Sequence, residues 1–402
     1  MTTPKQPPLD APDDQWLVYA DALQEAGDPR GELIALNQKV TGGADPKDRD
    51  AFVQQHAAEL LGPAAEYFGA YQLDWRRCVL EMAAVRVGPQ DDAAAMTRAL
   101  LASPAAEGLW KLSLVGVPSG SHDAIDLSGA VAEVVKAMPE SCRYVALVDD
   151  KANKSQSLIS RDYDPGENLV QFGPLTELVA LSGLERLHIV TADPHQLDFE
   201  GLDAPGLRSF TLHGLRFAES YDAPSQIATQ LASIKWPKLE DFEARLAETW
   251  TCSVPDETGA YVAVYAEMDE DESYYDEYDD DGWNEGVNYT EELAGLMESL
   301  KQTPLKRLAL TSFDSSGQLL EALRSHGLPE TLEELDLSES SLGAEAVQFF
   351  LDNKELFGKL KRLVLEDTLI GDDDAKKLAD LGPEIEHSEG SGACYRFLVG
   401  ME

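Results

Sequence analysis

Leucines recur along this chain in a fixed phrase. The pattern L-x-x-L-x-L appears as Leu109-Trp-Lys-Leu112-Ser-Leu114, Leu184-Glu-Arg-Leu187-His-Ile189, Leu207-Arg-Ser-Phe210-Thr-Leu212, Leu305-Lys-Arg-Leu308-Ala-Leu310, Leu332-Glu-Glu-Leu335-Asp-Leu337 and Leu360-Lys-Arg-Leu363-Val-Leu365. Weaker copies begin at Cys142 and Leu239. Successive starts lie 33, 42, 23, 32, 66, 27 and 28 residues apart, irregular at first and nearly constant at the end. Each phrase alternates apolar and polar positions and so predicts a short strand with one buried face. The stretch after it predicts a helix. After Leu337, Leu342, Ala346, Val347, Phe350 and Leu351 fall at helical spacing, with Asn353 and Gly358 as stops; after Leu365, Leu369 to Ala379 repeats the design with acids in its first turn. Neither strand nor helix can bury its apolar side alone, so neighbouring units must stack.

The first 75 residues follow another rhythm. Asp13 or Asp14 can cap a helix carrying Trp16, Ala20 and Leu23, which Gly27 can close in the left-handed region. Asp28-Pro29 supplies the N-cap and first turn of a second helix with Leu33, Leu36 and Val40. A third runs from Asp45-Pro46 to Gly62-Pro63. Asp21 and Arg30 are expected to pair across the first helical hairpin, and Trp16, Trp75 and Trp110 to fill the seam between helices and first repeat.

The repeats resemble the leucine-rich repeat family in its ribonuclease-inhibitor-like form, over roughly residues 105–385. Leu17 to Leu36, with its Gly-Asp-Pro-Arg-Gly-Glu turn, resembles the repeat-companion domain, a bacterial N-terminal module. These resemblances imply an α/β fold: a leucine-rich-repeat solenoid with a parallel concave sheet and convex helices, behind a small all-α module. The expected division is 1–75 for the helical module and 76–402 for the solenoid. Within the latter, an acidic excursion lies at 267–286 and a C-terminal cap at 386–402, where Ala393 to Val399 alternates like a last strand. Residues 244–252 and 260–266 are expected to form an antiparallel hairpin rather than a ninth parallel strand.

Composition narrows the function. The 402 residues carry 74 Asp plus Glu against 32 Lys plus Arg, a formal charge of −42. Such a surface repels nucleic acid and anionic lipid, so neither is an expected partner. No signal peptide or membrane-spanning run is visible, and four scattered cysteines suit free thiols in a reducing cytoplasm. Phosphate-binding, dinucleotide-binding, zinc-hydrolase and nucleophile-elbow motifs are absent, and the seven histidines show no metal spacing, so the reading is a non-enzymatic protein with no cofactor.

Two features remain as candidate recognition elements. Glu267 to Glu285 holds eleven acids, three tyrosines and one tryptophan in nineteen residues, too charged for a core. It reads as a solvated loop, as a docking segment for a basic partner anchored by Tyr274, Tyr275 and Trp283, or as a calcium loop over Glu277 to Asn288. The calcium reading departs from the EF-hand pattern at its first and last ligands. The second feature is the strand face opposite the leucines, concave in a solenoid, where five positions are basic and five acidic. It offers Arg186, His188, His213, Arg245, Arg307 and Arg362 to a partner, with the first three expected together mid-array; an exposed polar patch is the plainer reading of the same residues. The expectation is a cytoplasmic scaffold that binds a protein partner. An acidic nucleic-acid mimic and an enzyme with an unrecognised site remain as alternatives.

Overall fold

The structure, a computed structural model, describes residues 5–119, 124–155, 170–191, 197–199, 201–214, 226–246, 252–255, 261–264, 290–313 and 316–389. Contacts divide the chain into two compact units, Met1–Asp150 with Glu167–His188, and Lys151–Gly166 with Ile189–Glu402. Both are α/β, with mostly parallel strands and helices in the return stretches.

In the first unit, α1 (Asp13–Glu25) and α2 (Pro29–Thr41) form a hairpin around Trp16, Leu23, Leu33 and Ile34, all buried. The turn between them shows what each residue of its motif does. Gly27 takes φ +73°, which ends α1 at no steric cost. Asp28 accepts the Arg30 backbone N–H at 3.0 Å, and Pro29 occupies the first helical position. A Cβ on Gly31 would stand 2.6 Å from the Ala20 carbonyl oxygen, so glycine lets the two helices touch. Glu32 accepts from Gln24 Nε2 at 3.0 Å. Arg30 pairs with Asp28 and not with Asp21, which is exposed; the local turn brings a carboxylate within 2.5 Å of the guanidinium before the hairpin partner can reach it.

Sheet structure begins earlier than the leucine phrases suggest. β1 (Tyr71–Arg76) and β2 (Val79–Val87) form an antiparallel pair, and β2 runs parallel to β3 (Lys111–Gly116), which runs parallel to β4 (Tyr144–Asp149), with β5 (Arg186–Thr191) next. The helices Ala93–Leu101 and Ser128–Ala137 fill returns between strands, burying Met96, Leu100, Val131 and Val134. Trp16 and Trp75 are buried as expected of a seam, but Trp110 is 38% exposed. It directly precedes β3, and its backbone bonds to Glu81 and Tyr144 leave the ring on the surface. Cys78 and Cys142 are buried free thiols; burial pushes both up to about 11, so they serve as small apolar groups.

In the second unit, β6 (Ser209–Gly214), β7 (Asp241–Leu246), β8 (Arg307–Thr311), β9 (Glu334–Asp336), β10 (Arg362–Thr368) and β11 (Glu384–Glu389) are parallel and follow one another in order. Leu335, Leu337, Leu363 and Leu365 are fully buried, so the leucine register holds. Glu334, Asp336 and Arg362 are partly exposed, whereas Val364, which the alternation places on the same face, is 5% exposed and lies between Asp336 and Glu386 in register. The helix Ala344–Asp352 ends at Asn353 and the next turn at Gly358, as its stop residues require. Cys252–Pro255 and Tyr261–Val264 pair antiparallel as a separate two-stranded sheet, which is the expected hairpin, starting later than its composition suggests because 241–246 belongs to the parallel sheet. β11 has a single aliphatic residue, Ile385, and escapes a search for leucines.

Among the described residues no helix is long and apolar enough to cross a membrane, and no three His, Cys, Asp or Glu side chains are grouped to hold a metal ion. The acidic stretch with Tyr274, Tyr275 and Trp283, its calcium-like spacing, and the tail 393–399 lie outside the described residues.

Candidate functional site

Parallel pairing in register turns each position of the leucine phrase into a row across the strands. In the second unit one row reads Ser209, Asp241, Arg307, Glu334, Arg362, Glu384, so that from Asp241 onward the charge alternates at every step. Arg307 sits amid four carboxylates: Asp241 at 3.1 Å, Glu243 at 2.8 Å, Glu334 at 3.0 Å and Asp336 at 3.2 Å. Arg362 bridges Glu334, at 3.1 Å, to Glu386. His213 Nε2 donates to Glu243 at 2.7 Å. Arg245 reaches Glu339 at 2.6 Å and donates to Ser312 Oγ at 3.0 Å, which in turn donates to Glu339 at 2.8 Å.

Electrostatics follow from this crowding. The hydrogen bond from His213, joined by that of Arg307, holds the Glu243 carboxyl down to about 2 despite desolvation that opposes its charge. Desolvation works against the Arg307 guanidinium too, but Glu243 and Asp241 outweigh it and hold its pKa above the ordinary arginine range. The Glu386 hydrogen bond likewise raises Arg362. Ser312, Glu339 and Asp367 hold φ of +61°, +61° and +55°, each seven residues after the start of its leucine phrase. There, glycine is the usual choice.

The first unit presents different chemistry on the corresponding row, Met82, Lys111, Tyr144. Arg186 continues it, because its N–H donates to Arg143 O as that of Tyr144 donates to Trp110 O. Lys111 Nζ stands 4.5 Å from the centre of the Tyr144 ring, and the Arg186 guanidinium carbon 5.7 Å from that of Trp110. Trp110 and Tyr144 meet edge to face at 5.7 Å. The Tyr144 hydroxyl is hydrogen-bonded to His188 Nδ1 at 3.2 Å, which fixes the phenol from its far end. Met82 is 36% exposed and Trp110 38%, whereas the other described tryptophans, Trp16, Trp75 and Trp236, are at most 7% exposed.

The sequence-derived candidates therefore separate. Arg307, Arg362, Arg245 and His213 are engaged by nearby carboxylates, so in the second unit the acids and bases of this face are paired with one another and not left free for a partner. Arg186 and His188 fall in the first unit and His213 in the second, each with its own partners. Trp110 lies on the surface and not in the expected seam, and Lys111, Tyr144 and Met82 join it on the strand face of the first unit. The legible signal for the ladder was the third position of successive phrases, Asp241, Arg307, Glu334, Arg362, which alternates in sign when read across repeats instead of along the chain.

No protein-family model matches this chain, and no curated protein does. Among solved structures, it is similar to a structural-genomics target from Bacteroides fragilis, at 15% identity over 74% of this chain and 70% of that one, with a TM-score of 0.50. An internalin from Listeria monocytogenes aligns at 12% identity over 77% of this chain and 87% of that one, with a TM-score of 0.22. The first likeness is one of fold alone.

Proposed function

We propose that this protein is a non-enzymatic, leucine-rich-repeat-like scaffold that binds a protein partner on the strand face of its first unit, around Trp110. The carrying observation is the exposed pair Met82 and Trp110 beside the half-buried Tyr144, fixed by β-strands and by contacts with Lys111, Arg186 and His188. Tryptophan, tyrosine and arginine together are the residue types that dominate binding energy at protein interfaces. Strands hold them in place, so little side-chain freedom remains to be lost on association. The repeat-companion-like helical hairpin supplies architecture in this reading and no chemistry.

Affinity capture compares the wild type with Trp110→Ala and with a control, Arg324→Ala, on an exposed helix position. A specific partner should be retained by wild type and control and lost by Trp110→Ala, since removing a hot-spot aromatic costs about 2–4 kcal/mol, or roughly 30- to 1000-fold in affinity. A partner retained equally by all three would refute this placement of the binding site.

A further inference from the structure

Cations on the strand face of the second unit are paired with carboxylates, as is Arg86 on that of the first, which meets Asp150 at 3.1 Å, but two cations of the first unit are not. In the second unit Arg245, Arg307 and Arg362 are each held by at least one carboxylate within 3.2 Å, which is what an excess of 74 acids over 32 bases should produce everywhere. Lys111 and Arg186 break the rule. Neither has a carboxylate within ion-pair distance among the described residues, and both stand over aromatic rings. The nearby Arg143 is served by Glu185 at 3.6 Å, so acids are present in this unit and are not placed against these two cations.

Resting on the proposed protein-binding role of this face, we propose that the patch takes a short acidic segment of a partner protein, in which carboxylates alternate with leucine or aromatic side chains. Charge complementarity selects the carboxylates: Lys111 and Arg186 offer two cationic heads that stand over aromatic rings. The apolar positions are selected by Trp110, Tyr144 and Met82 between and beside those heads. Size agrees. From β2 to β5 the row crosses three strand spacings of about 4.8 Å, roughly 14 Å, which an extended peptide of four to five residues spans at about 3.3 Å each. A polyphosphate or an anionic membrane fits less well, because a chain of charge −42 repels a dense polyanion far more than a segment with two or three carboxylates.

The test uses the full chain and fluorescein-labelled probes read by anisotropy: an acetylated peptide alternating aspartate with leucine and phenylalanine, its asparagine counterpart and its lysine counterpart. The expected order is aspartate over asparagine over lysine, with about tenfold between the first two for the loss of two charge-assisted contacts. Trp110→Ala should abolish binding, and Lys111→Glu with Arg186→Glu should reverse the order while leaving the thermal unfolding temperature within a few degrees of wild type. Equal binding of all three peptides, still dependent on Trp110, would overturn the acidic specificity and leave the docking face standing. Preference for the lysine peptide, independent of Trp110, would overturn it as well and place attraction in the chain's general acidity. Failure of the aspartate peptide to bind, or stronger Trp110-dependent binding of single-stranded RNA or phosphatidylserine vesicles, would likewise overturn it. The capture experiment with Trp110→Ala decides the broader reading independently of these probes.

Discussion

Glu243 concentrates the logic of the charged ladder in one side chain. It accepts from His213 and from Arg307, and its carboxyl is held at about 2 against an ordinary value of 4.5. A carboxyl whose folded pKa lies below its unfolded one stabilises the fold fully above the unfolded value; that contribution fades as pH falls from about 4.5 towards about 2. Glu243→Gln should therefore cost about 3 kcal/mol near neutrality and progressively less on acidification. Urea midpoints of wild type and variant, measured from pH 7 to pH 3, should converge. A gap that stays constant over that range would mean that the carboxylate contributes through shape and not charge. The arginines here act inward for the same reason: a guanidinium with four carboxylate neighbours has little left to offer a partner, and binding one would first have to break those half-buried pairs.

At the scale of elements, the helical hairpin α1–α2 shows a turn whose every residue has a physical task, and Gly31 has the strictest. An added Cβ would meet the Ala20 carbonyl at 2.6 Å and the Gln24 backbone nitrogen at 2.8 Å, neither of which can rotate away. Gly31→Ala should destabilise by about 1–3 kcal/mol although alanine is the better helix former. Gly317→Ala, in the helix Ser316–His326 where nothing lies within 4 Å of the added carbon, should instead stabilise by about 0.5–1 kcal/mol. Opposite signs for one substitution at two sites are read from paired urea titrations; equal signs would show that the helices can part without cost. Much of this level was legible beforehand. Leucine spacing located the strands from Lys111 to Arg362, since a buried alternating face leaves a periodic trace. β1, β2 and β11 left weaker traces, because an antiparallel opening pair and a strand with one aliphatic residue carry no leucine phrase. The candidate site was legible only in part. Arg186 showed itself by type and position, but Trp110 occupies a place in the phrase where an aromatic ring is equally suited to a seam, and exposure is decided by tertiary packing that a sequence pattern does not carry.

For the whole molecule, the net charge of −42 governs how any partner arrives. A basic partner drawn to the acidic stretch 267–285 would be accelerated by that field and would lose affinity steeply as salt screens it, by an order of magnitude or more between low and high ionic strength. An acidic segment bound at Trp110 meets the reverse situation. The long-range field opposes its approach, while Lys111 and Arg186 attract it only at close range. Salt then does two things at once: it screens the repulsion, which speeds association, and it weakens the two local contacts, which speeds release. Because the Debye length falls to about 3 Å only at molar salt, the contact pairs outlast the distant repulsion over the physiological range. The expected outcome for the aspartate probe is thus an association rate that rises with salt and an affinity that changes by less than about threefold. Replacing Asp279, Asp280 and Asp281 by Asn removes three of the repelling charges and should raise the association rate at low salt without weakening binding, whereas Arg186→Glu should weaken it at every salt concentration. Stopped-flow traces at several ionic strengths separate these effects. A rate that falls with salt, together with affinity lost in the triple Asn variant and kept in Arg186→Glu, would transfer recognition to the acidic stretch and remove it from the strand face.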